Sequence, residues 1–487
     1  MGDGKATTAA LVASLGAFLF GLDIGYIAPI LECPSFKRDV GHLSDWSDSN
    51  SKITSVEAGF IVAIFSVGCL TTSFPPISSF FLDQFGRRSS IMLGGIIFLL
   101  GCLLQSSSGS MGTFLFGRLV TGTSIGLLSN VVPMYQAEMA PPALRGTLTS
   151  MYNMMITAGI FLAALLDEFL VEMDNGWRMA IALQAIPAFV ILLTMPFLPR
   201  SPRWLVQQGR LEEASEALTL LRGSEMAEKE LSEIVDEFKA ECAVASGSWT
   251  EVFTGRMLLL VGIGASLQML QQLVGMNFFM YFGPRLFKHM NLDANLFQTI
   301  ANGTNMIFTL PALYFIEKTG RRSLFITGAI GMAVSNFVLG FLGIYGTTGH
   351  GEDSKPSSPL VGVVLAAMVL CFIASFASTW GPTVWVYCAE MFPLRHRARC
   401  VGVTTMTNWV GNFLIAQFSP ILLSAIGFGT FLLFGGFCIV ALLLGLWLPE
   451  TRGVPLEQIG TCFDERFGLL EGKAADTESY GAISKRM

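Results

Sequence analysis

The stretch that decides the fold is Gln268–Pro284, QMLQQLVGMNFFMYFGP, which lies within a long apolar run that begins at Met257. The run is long enough to cross a bilayer, because about 20 apolar residues span the hydrocarbon core. It nevertheless contains four amides and a phenol, which need hydrogen-bonding partners at that depth. These polar residues are Gln268, Gln271, Gln272, Asn277 and Tyr281.

The helical positions of these side chains suggest what they do. At 100° per residue, the three glutamines share one face with Gly275, while Asn277 and Tyr281 lie on a neighbouring face. A bend at Gly275 would turn both faces toward one cavity. Uncharged amides and a phenol suit a neutral ligand covered with hydroxyls, because each can donate or accept. Hydrogen bonding between helices is the alternative explanation, but five such groups in one span favour a polar cavity.

The composition predicts a protein that crosses the membrane many times. The chain has 487 residues, of which 52% are hydrophobic and 14% charged, and its mean hydropathy is +0.58. The net charge of -6 is small, and no basic patch indicates nucleic acid as a partner. Cysteine and histidine show no metal-binding or catalytic spacing. We therefore expect no cofactor, no metal and no enzymatic activity.

Hydropathy predicts an all-α membrane protein with twelve transmembrane helices in two six-helix halves. The N-terminal apolar run is longer than a signal-peptide core and is taken as the first span. The candidate spans are Thr8–Ile30, Val56–Ile77, Ser90–Gln105, Gly112–Met134, Gly146–Leu166, Trp177–Leu198, Met257–Tyr281, Phe297–Phe315, Leu324–Tyr345, Leu360–Glu390, Cys400–Leu423 and Gly429–Leu448.

The spans divide the chain into four regions. Residues 1–200 form the first half, and residues 201–256 form a linker in which short amphipathic helices are expected. Residues 257–450 form the second half, and residues 451–487 form a polar tail. Lysine and arginine concentrate in alternate loops, which places the linker and both termini in the cytosol.

An internal repeat supports the two halves. Three motifs of the first half recur in the second half in the same order. A single match could arise by chance, but three matches in the same order indicate a repeat. They are Asp83–Ser89 with Glu317–Ser323, Ala137–Pro141 with Ala389–Pro393, and, more loosely, Pro199–Arg203 with Pro449–Gly453. Transporters built from parallel repeats bind substrate between their halves.

The repeated motifs place acids and arginines together at the cytosolic junctions. Ion pairs among them would form a latch that holds the protein outward-open, and loosening of the latch would accompany opening inward. The alternative is that the arginines only set the orientation of the spans in the membrane. Each junction carries both negative and positive side chains, however, which favours the latch. Its candidate members are Asp83, Arg87, Arg88, Glu138, Arg145, Glu317, Arg321, Arg322, Glu390 and Arg397.

These motifs together resemble the sugar porter family of the major facilitator superfamily, which includes hexose/proton symporters and glucose facilitators. The resemblance covers nearly the whole chain. It rests on Gly117-Arg118, Pro133–Glu138, Arg145-Gly146, Pro199–Arg203, Gln271-Gln272, Gly275, Asn277, Gly381-Pro382, Trp385, Glu390 and Pro449–Gly453. It implies transport of a monosaccharide by alternating access, with a hexose as the expected substrate. It also implies the latch.

The resemblance also implies which residues bind the sugar. They are Gln271, Gln272, Asn277, Asn305, Trp385 and Asn412, with Asn153 as a weaker candidate. Gly381-Pro382 is expected to interrupt span ten. Three positions depart from the family: Arg200 replaces a usual Glu, Val384 a Pro of the glucose facilitators, and Asn153 a Gln. The last departure leaves the preferred sugar open.

Asp23 lies at mid-depth in span one, where a carboxylate is expensive and usually functional. The resemblance implies that Asp23 pairs with Arg118 of span four and that the pair couples sugar to proton symport. Animal glucose facilitators carry Asn at this position, while some fungal facilitators keep Asp without coupling. An uncoupled facilitator therefore remains an alternative.

A sugar sensor that does not transport is the second alternative, although such sensors typically carry long tails. The tail here, about 37 residues after Glu450, argues against it. The expected partners are a monosaccharide, a proton and the lipid bilayer, with the chain acting as a monomer. The expected location is the plasma membrane, with the vacuole or another endomembrane left open.

Overall fold

The structure is a computed structural model that describes residues 2–42, 53–140, 145–170, 173–243, 249–289, 293–348, 355–392, 396–452, 462–463 and 465–467. Long helices occupy all twelve of the predicted spans, so the predicted all-α membrane fold is confirmed. In span order they are Gly2–Glu32, Ser55–Ser73, Pro75–Ser106, Met111–Met139, Arg145–Leu170, Gly176–Leu183 with Ala185–Thr194, Gly255–Leu273 with Met276–His289, Ala294–Thr319, Arg321–Gly346, Pro359–Ser378 with Trp380–Met391, Arg397–Ile426 and Gly429–Trp447.

Eleven helical segments within the described ranges are long and apolar enough to cross a membrane. The helix of span eight, Ala294–Thr319, has the length but is less apolar than the others. Its amides explain the difference, because Gln298, Asn302 and Asn305 are buried inside the protein rather than facing lipid. Gln298 donates to the carbonyl of Phe279 in span seven and to Asn302.

Span seven breaks where the sequence predicts a bend. Gly275 separates its two helices with a φ of 99°, a conformation that other residues rarely adopt. A Cβ at Gly275 would also lie 2.5 Å from the ring of Phe434. The break turns the glutamines before it and Asn277 after it toward the same space.

Span ten also breaks, but two residues earlier than predicted. The interruption falls at Thr379, and a new helix starts at Trp380. Pro382 therefore lies in the first turn of the second helix. A proline is tolerated in that turn, because it needs no hydrogen-bonded N–H there.

The linker between the halves folds into short helices, as its periodicity predicts. They are Pro202–Gln207, Leu211–Arg222, Ser224–Ala243 and Trp249–Val252. The first three pack around a small apolar core that includes Trp204, Leu218 and Ile234. Outside the spans lie also Pro34–Asp39, a 3-10 turn at Met195–Phe197, and a two-residue strand pair, Thr347–Thr348 with Lys355–Pro356.

Candidate functional site

The glutamines of span seven meet an asparagine of span eleven. Asn408 donates from Nδ2 to Gln268 Oε1 at 2.7 Å and to Gln271 Oε1 at 2.9 Å. Gln272 donates from Nε2 to Asn408 Oδ1 at 2.9 Å and accepts a close hydrogen bond from Asn277. These five amides form one continuous network that crosses the break at Gly275. The structure therefore brings Gln271, Gln272 and Asn277 together as the sequence predicts.

Asn408 is the centre of this network, although it is not among the residues predicted from the sequence. It is 4% exposed and bonds three of the other four amides. A signal was available, because Asn408 and Asn412 are four residues apart on one face of span eleven.

Asn412 joins the two halves of the protein. Its Oδ1 accepts from Tyr281 of span seven at 3.2 Å and from Ser66 of span two at 2.9 Å. Gln271, in turn, donates to the carbonyls of Trp380 and Gly381 at the break of span ten. The polar site thus contacts both broken helices and the boundary between the halves, which are the elements that a rocking motion would move.

The remaining predicted sugar-binding residues lie in different environments. Asn305 is buried in span eight, Asn153 is half-buried in span five, and Trp385 is exposed in span ten. No side-chain hydrogen bond from these three to the amide network is present in the described part of the chain.

Trp409 adds an aromatic surface to the site. Its ring lies 5.5 Å from Phe20 of span one and 6.3 Å from Phe65 of span two, measured between centroids. Its indole Nε1 is buried and has no acceptor among the residues that the structure describes. A ligand hydroxyl could accept from that N–H while the ring covers an apolar face of the ligand.

Asp23 and Arg118 form a buried ion pair. Arg118 Nη1 donates to Asp23 Oδ2 at 2.6 Å, and each side chain is only 1% exposed. Arg118 also donates to the hydroxyl of Tyr26 at 3.1 Å, and that hydroxyl donates to Gln105 at 2.5 Å. A polar chain therefore surrounds the pair, and Tyr26 and Gln105 are not among the residues predicted from the sequence.

Span two connects this pair to the amide network. The ring of Phe65 lies 4.8 Å from the guanidinium of Arg118 and 6.3 Å from the ring of Trp409. The next residue, Ser66, bonds Asn412. Two adjacent residues of one helix thus contact the charged pair and the candidate sugar site.

Charged residues of the repeated motifs lie at one end of the bundle. We call this end the arginine face and define it by Arg87, Arg88, Arg321 and Arg322. Arg87 pairs with Glu138 at 2.9 Å, and Arg321 pairs with Glu390 at 2.8 Å. Each of these two pairs lies within one half.

The two pairs are equivalent under the repeat and have equivalent support. Ser201 donates to Glu138 in a close hydrogen bond, and Thr451 donates to Glu390 at 3.0 Å. The remaining latch candidates are less informative. Asp83 is exposed. The side chains of Arg145, Glu317 and Arg397 lie outside those that the structure describes.

At the opposite end of the bundle, an ion cluster joins the two halves. Arg285 of span seven donates from Nε to Glu32 of span one at 2.7 Å, and Lys37 lies 3.6 Å from the same carboxylate. Arg285 also donates to the carbonyl of Ile53 at 3.2 Å. Arg285 and Lys37 are buried, so the halves are closely packed at this end.

The comparison with protein families identifies the chain. Residues 9–463 match the family described as "Sugar (and other) transporter". The chain belongs to the sugar transporter family. This family consists of transporters, so the expectation that the protein is not an enzyme is confirmed.

Known relatives of this sugar transporter include carriers and a sensor. The low-affinity glucose transporter HXT1 of Saccharomyces cerevisiae is 31% identical, with 98% of this chain and 84% of the relative covered. The high glucose sensor RGT2 of the same yeast is 30% identical, with 98% of this chain and 62% of the relative covered. The proton:xylose symporter XylE of E. coli, solved with 6-bromo-6-deoxy-D-glucose, is 27% identical. It covers 95% of this chain and 99% of its own, with a TM-score of 0.78.

The two halves differ at one position of the repeated motifs, with a visible structural consequence. In the second half, Glu450 accepts from the backbone N–H groups of Arg321 and Arg322 at 2.8 and 3.0 Å and so caps the helix of span nine. The equivalent position of the first half is Arg200. Arg200 cannot accept these bonds, because a guanidinium has no acceptor.

We expect Arg200→Glu to stabilise this sugar transporter. The new carboxylate would cap the helix that follows Gly86, as Glu450 caps its equivalent, and a helix cap contributes about 1 kcal/mol. The measurement is the melting temperature of the purified protein in detergent, with Arg200→Gln as the matched control. The interpretation fails if Glu gives no higher melting temperature than Gln.

Proposed function

We propose that the protein transports a hexose by alternating access and that it couples this transport to proton symport. The observation that carries the proposal is the buried Asp23–Arg118 pair, which lies one aromatic ring away from Trp409 and the amide network. The names of the relatives support the two parts separately, since HXT1 is a glucose transporter and XylE a proton:xylose symporter.

The sugar site is built for a neutral polyhydroxylated ring. The amides of Gln271, Gln272, Asn277, Asn408 and Asn412 offer donors and acceptors without charge, and Trp409 offers a flat apolar face. Sugar hydroxyls would exchange with the bonds that the amides now make to one another. Asn305, Trp385 and Asn153 are proposed to complete the site when the halves move.

The two halves, residues 1–200 and 257–450, are proposed to rock about this site. The arginine face is assigned to the cytosol, because lysine and arginine mark that side. The pairs Arg87–Glu138 and Arg321–Glu390 fix the shape of each half there, and we assign to the acids and arginines of this face the role of a latch between states. We propose that the Glu32–Arg285 pair closes the opposite, external face.

Proton coupling follows from the position of the pair. A proton on Asp23 removes the negative charge that holds Arg118, so the two protonation states favour different arrangements of spans one and four. Phe65 and Ser66 transmit that difference, because one contacts Arg118 and the other bonds Asn412. Reciprocal coupling then requires sugar binding to depend on the protonation of Asp23.

Uptake of radiolabelled glucose in a hexose-transport-deficient cell tests the proposed function. We expect uptake that other hexoses inhibit, that exceeds equilibrium, and that collapses when a protonophore is added. Uptake that stops at equilibrium and ignores the protonophore would instead establish an uncoupled facilitator. The absence of uptake from a correctly inserted protein that still binds glucose would favour a sensor, which the likeness to RGT2 makes a specific alternative.

We expect Gln272→Ala to weaken apparent sugar affinity by a few-fold to about tenfold, because each neutral hydrogen bond contributes about 0.5–1.5 kcal/mol. Asn408→Ala should weaken affinity at least as much, since it removes one hydrogen bond from each of three glutamines. The measurement is the concentration dependence of uptake. Asn130→Ala is the control, because Asn130 donates to the carbonyl of Gly126 in its own helix and makes no other side-chain hydrogen bond among the described residues. Equal affinities in the two cavity variants and wild type would exclude this network from the site.

A further inference from the structure

A crevice that is separate from the sugar site opens on the lateral surface of the first half. It lies between spans one, five and six and has a volume of about 310 Å³. Apolar side chains such as Leu15, Phe18 and Leu166 form most of its wall. Leu162, Ile186 and Val190 also line it and are exposed on the surface of membrane-spanning helices, so the opening faces lipid.

Two buried polar groups line this apolar crevice. Asp167 is 1% exposed, and its Oδ2 has no hydrogen-bond partner among the described residues. Gln184 is 3% exposed, and its Nε2 is likewise without an acceptor in that part of the chain. A buried polar group without a partner is costly, and two in one crevice indicate that a ligand supplies the missing bonds.

The crevice has a polar end and an apolar end. Asp167 lies three residues before the end of its helix at Leu170, about 5 Å along the axis. Val190 lies 14 residues after Gly176, where span six starts on the same face. Its depth from that face is therefore about 20 Å. The acid is thus near the membrane surface opposite the arginine face, and the apolar wall extends toward the bilayer centre. A lipid of that leaflet has the same polarity.

We propose that this crevice binds a sterol, with its hydroxyl between Asp167 and Gln184 and its ring system along the apolar wall. A hydroxyl can donate to Asp167 and accept from Gln184, which an ammonium group or a carboxylate cannot do together. None of the lining residues is basic, so a phosphate headgroup finds no countercharge. A rigid ring system also loses little conformational entropy on binding, in contrast to a flexible acyl chain.

The site is adjacent to the coupling pair. Tyr26 lines the crevice, and its hydroxyl accepts from Arg118 at 3.1 Å. The sterol would therefore lie one side chain away from the Asp23–Arg118 pair. Sterol binding itself does not depend on the proposed sugar transport and is tested without sugar.

The test uses the purified full-length protein in phosphatidylcholine vesicles with a photoreactive cholesterol that carries a diazirine on its rings and a free 3-hydroxyl. Mass spectrometry of the labelled peptides should locate the label on spans one, five and six. Excess cholesterol should remove this label. Cholestenone, which lacks the donor hydroxyl, should compete at least about threefold more weakly, as expected for the loss of one hydrogen bond.

Variants separate the site from general lipid contact. Asp167→Leu and Gln184→Leu should each reduce competable labelling by about three- to tenfold. Leu162→Trp should block the mouth without disturbing the core, while Leu443→Trp adds the same bulk to the exposed face of span twelve and should leave labelling unchanged. Equal labelling of all spans, equal competition by cholestenone, or competition by sphingosine in place of cholesterol would overturn the proposal.

Discussion

Asp23→Asn is expected to abolish concentrative uptake while leaving sugar binding in place. One proton per sugar supports up to about fiftyfold accumulation at 100 mV, because the potential contributes about 2.3 kcal/mol per charge. Asn keeps the shape of Asp23 but carries no charge, so the ion pair with Arg118 and its dependence on protons are both lost. Accumulation should fall to about onefold, and sugar exchange across the membrane should persist.

The measurement is the accumulation ratio of labelled sugar against external pH, with and without a protonophore. Asp174→Asn is the matched control, because Asp174 is 78% exposed at its side chain and lies outside the spans. We expect this control to accumulate sugar like wild type. Persistent accumulation by Asp23→Asn would show that the coupling proton binds elsewhere.

The two broken helices show which helix breaks can be predicted from local sequence. The break at Gly275 was predictable, because a glycine among inward-facing amides is free to adopt positive φ. The break of span ten was predicted at Gly381-Pro382, but it falls at Thr379. The error comes from the asymmetry of proline, which disturbs the residues before it and fits the first turn of the helix that follows.

The candidate site was predictable only where one helix carried several polar groups. Gln271, Gln272 and Asn277 can be recognised because they occur together in span seven. Asp23 can be recognised because a charged residue is rare in a membrane span. Asn408 lies one turn from Asn412, but two amides in a span, like the phenol of Tyr26, are explained equally well by hydrogen bonding between helices. Their importance depends on which helices become neighbours, which hydropathy does not specify.

The Glu32–Arg285 pair illustrates the same limit. Glu32 ends the helix of span one, and Arg285 follows the Gly-Pro of span seven, more than 250 positions later in the chain. Charges at helix ends are ordinary, so neither residue indicates a partner. Only the packing of the two halves makes this pair a contact that must break when this end of the bundle opens.

Arg285→Ala is therefore expected to shift the protein toward the state that is open at this face. Removing one partner of a buried ion pair costs about 3–5 kcal/mol in the state that contains the pair. Lys37, which is 3.6 Å from Glu32, offsets part of this cost. A remaining effect of about 1.4 kcal/mol would still change the balance of states about tenfold.

Cys33 provides the measurement, because it lies next to Glu32 and is fully buried in the present structure. The rate at which a polar maleimide modifies Cys33 in the purified protein should rise at least about tenfold in Arg285→Ala. Arg38→Ala is the control, because Arg38 pairs with Asp39 and Asp174 within the first half and should leave the rate unchanged. If Arg285→Ala leaves Cys33 protected, or if both variants expose it equally, the contact between Glu32 and Arg285 does not hold the external face closed.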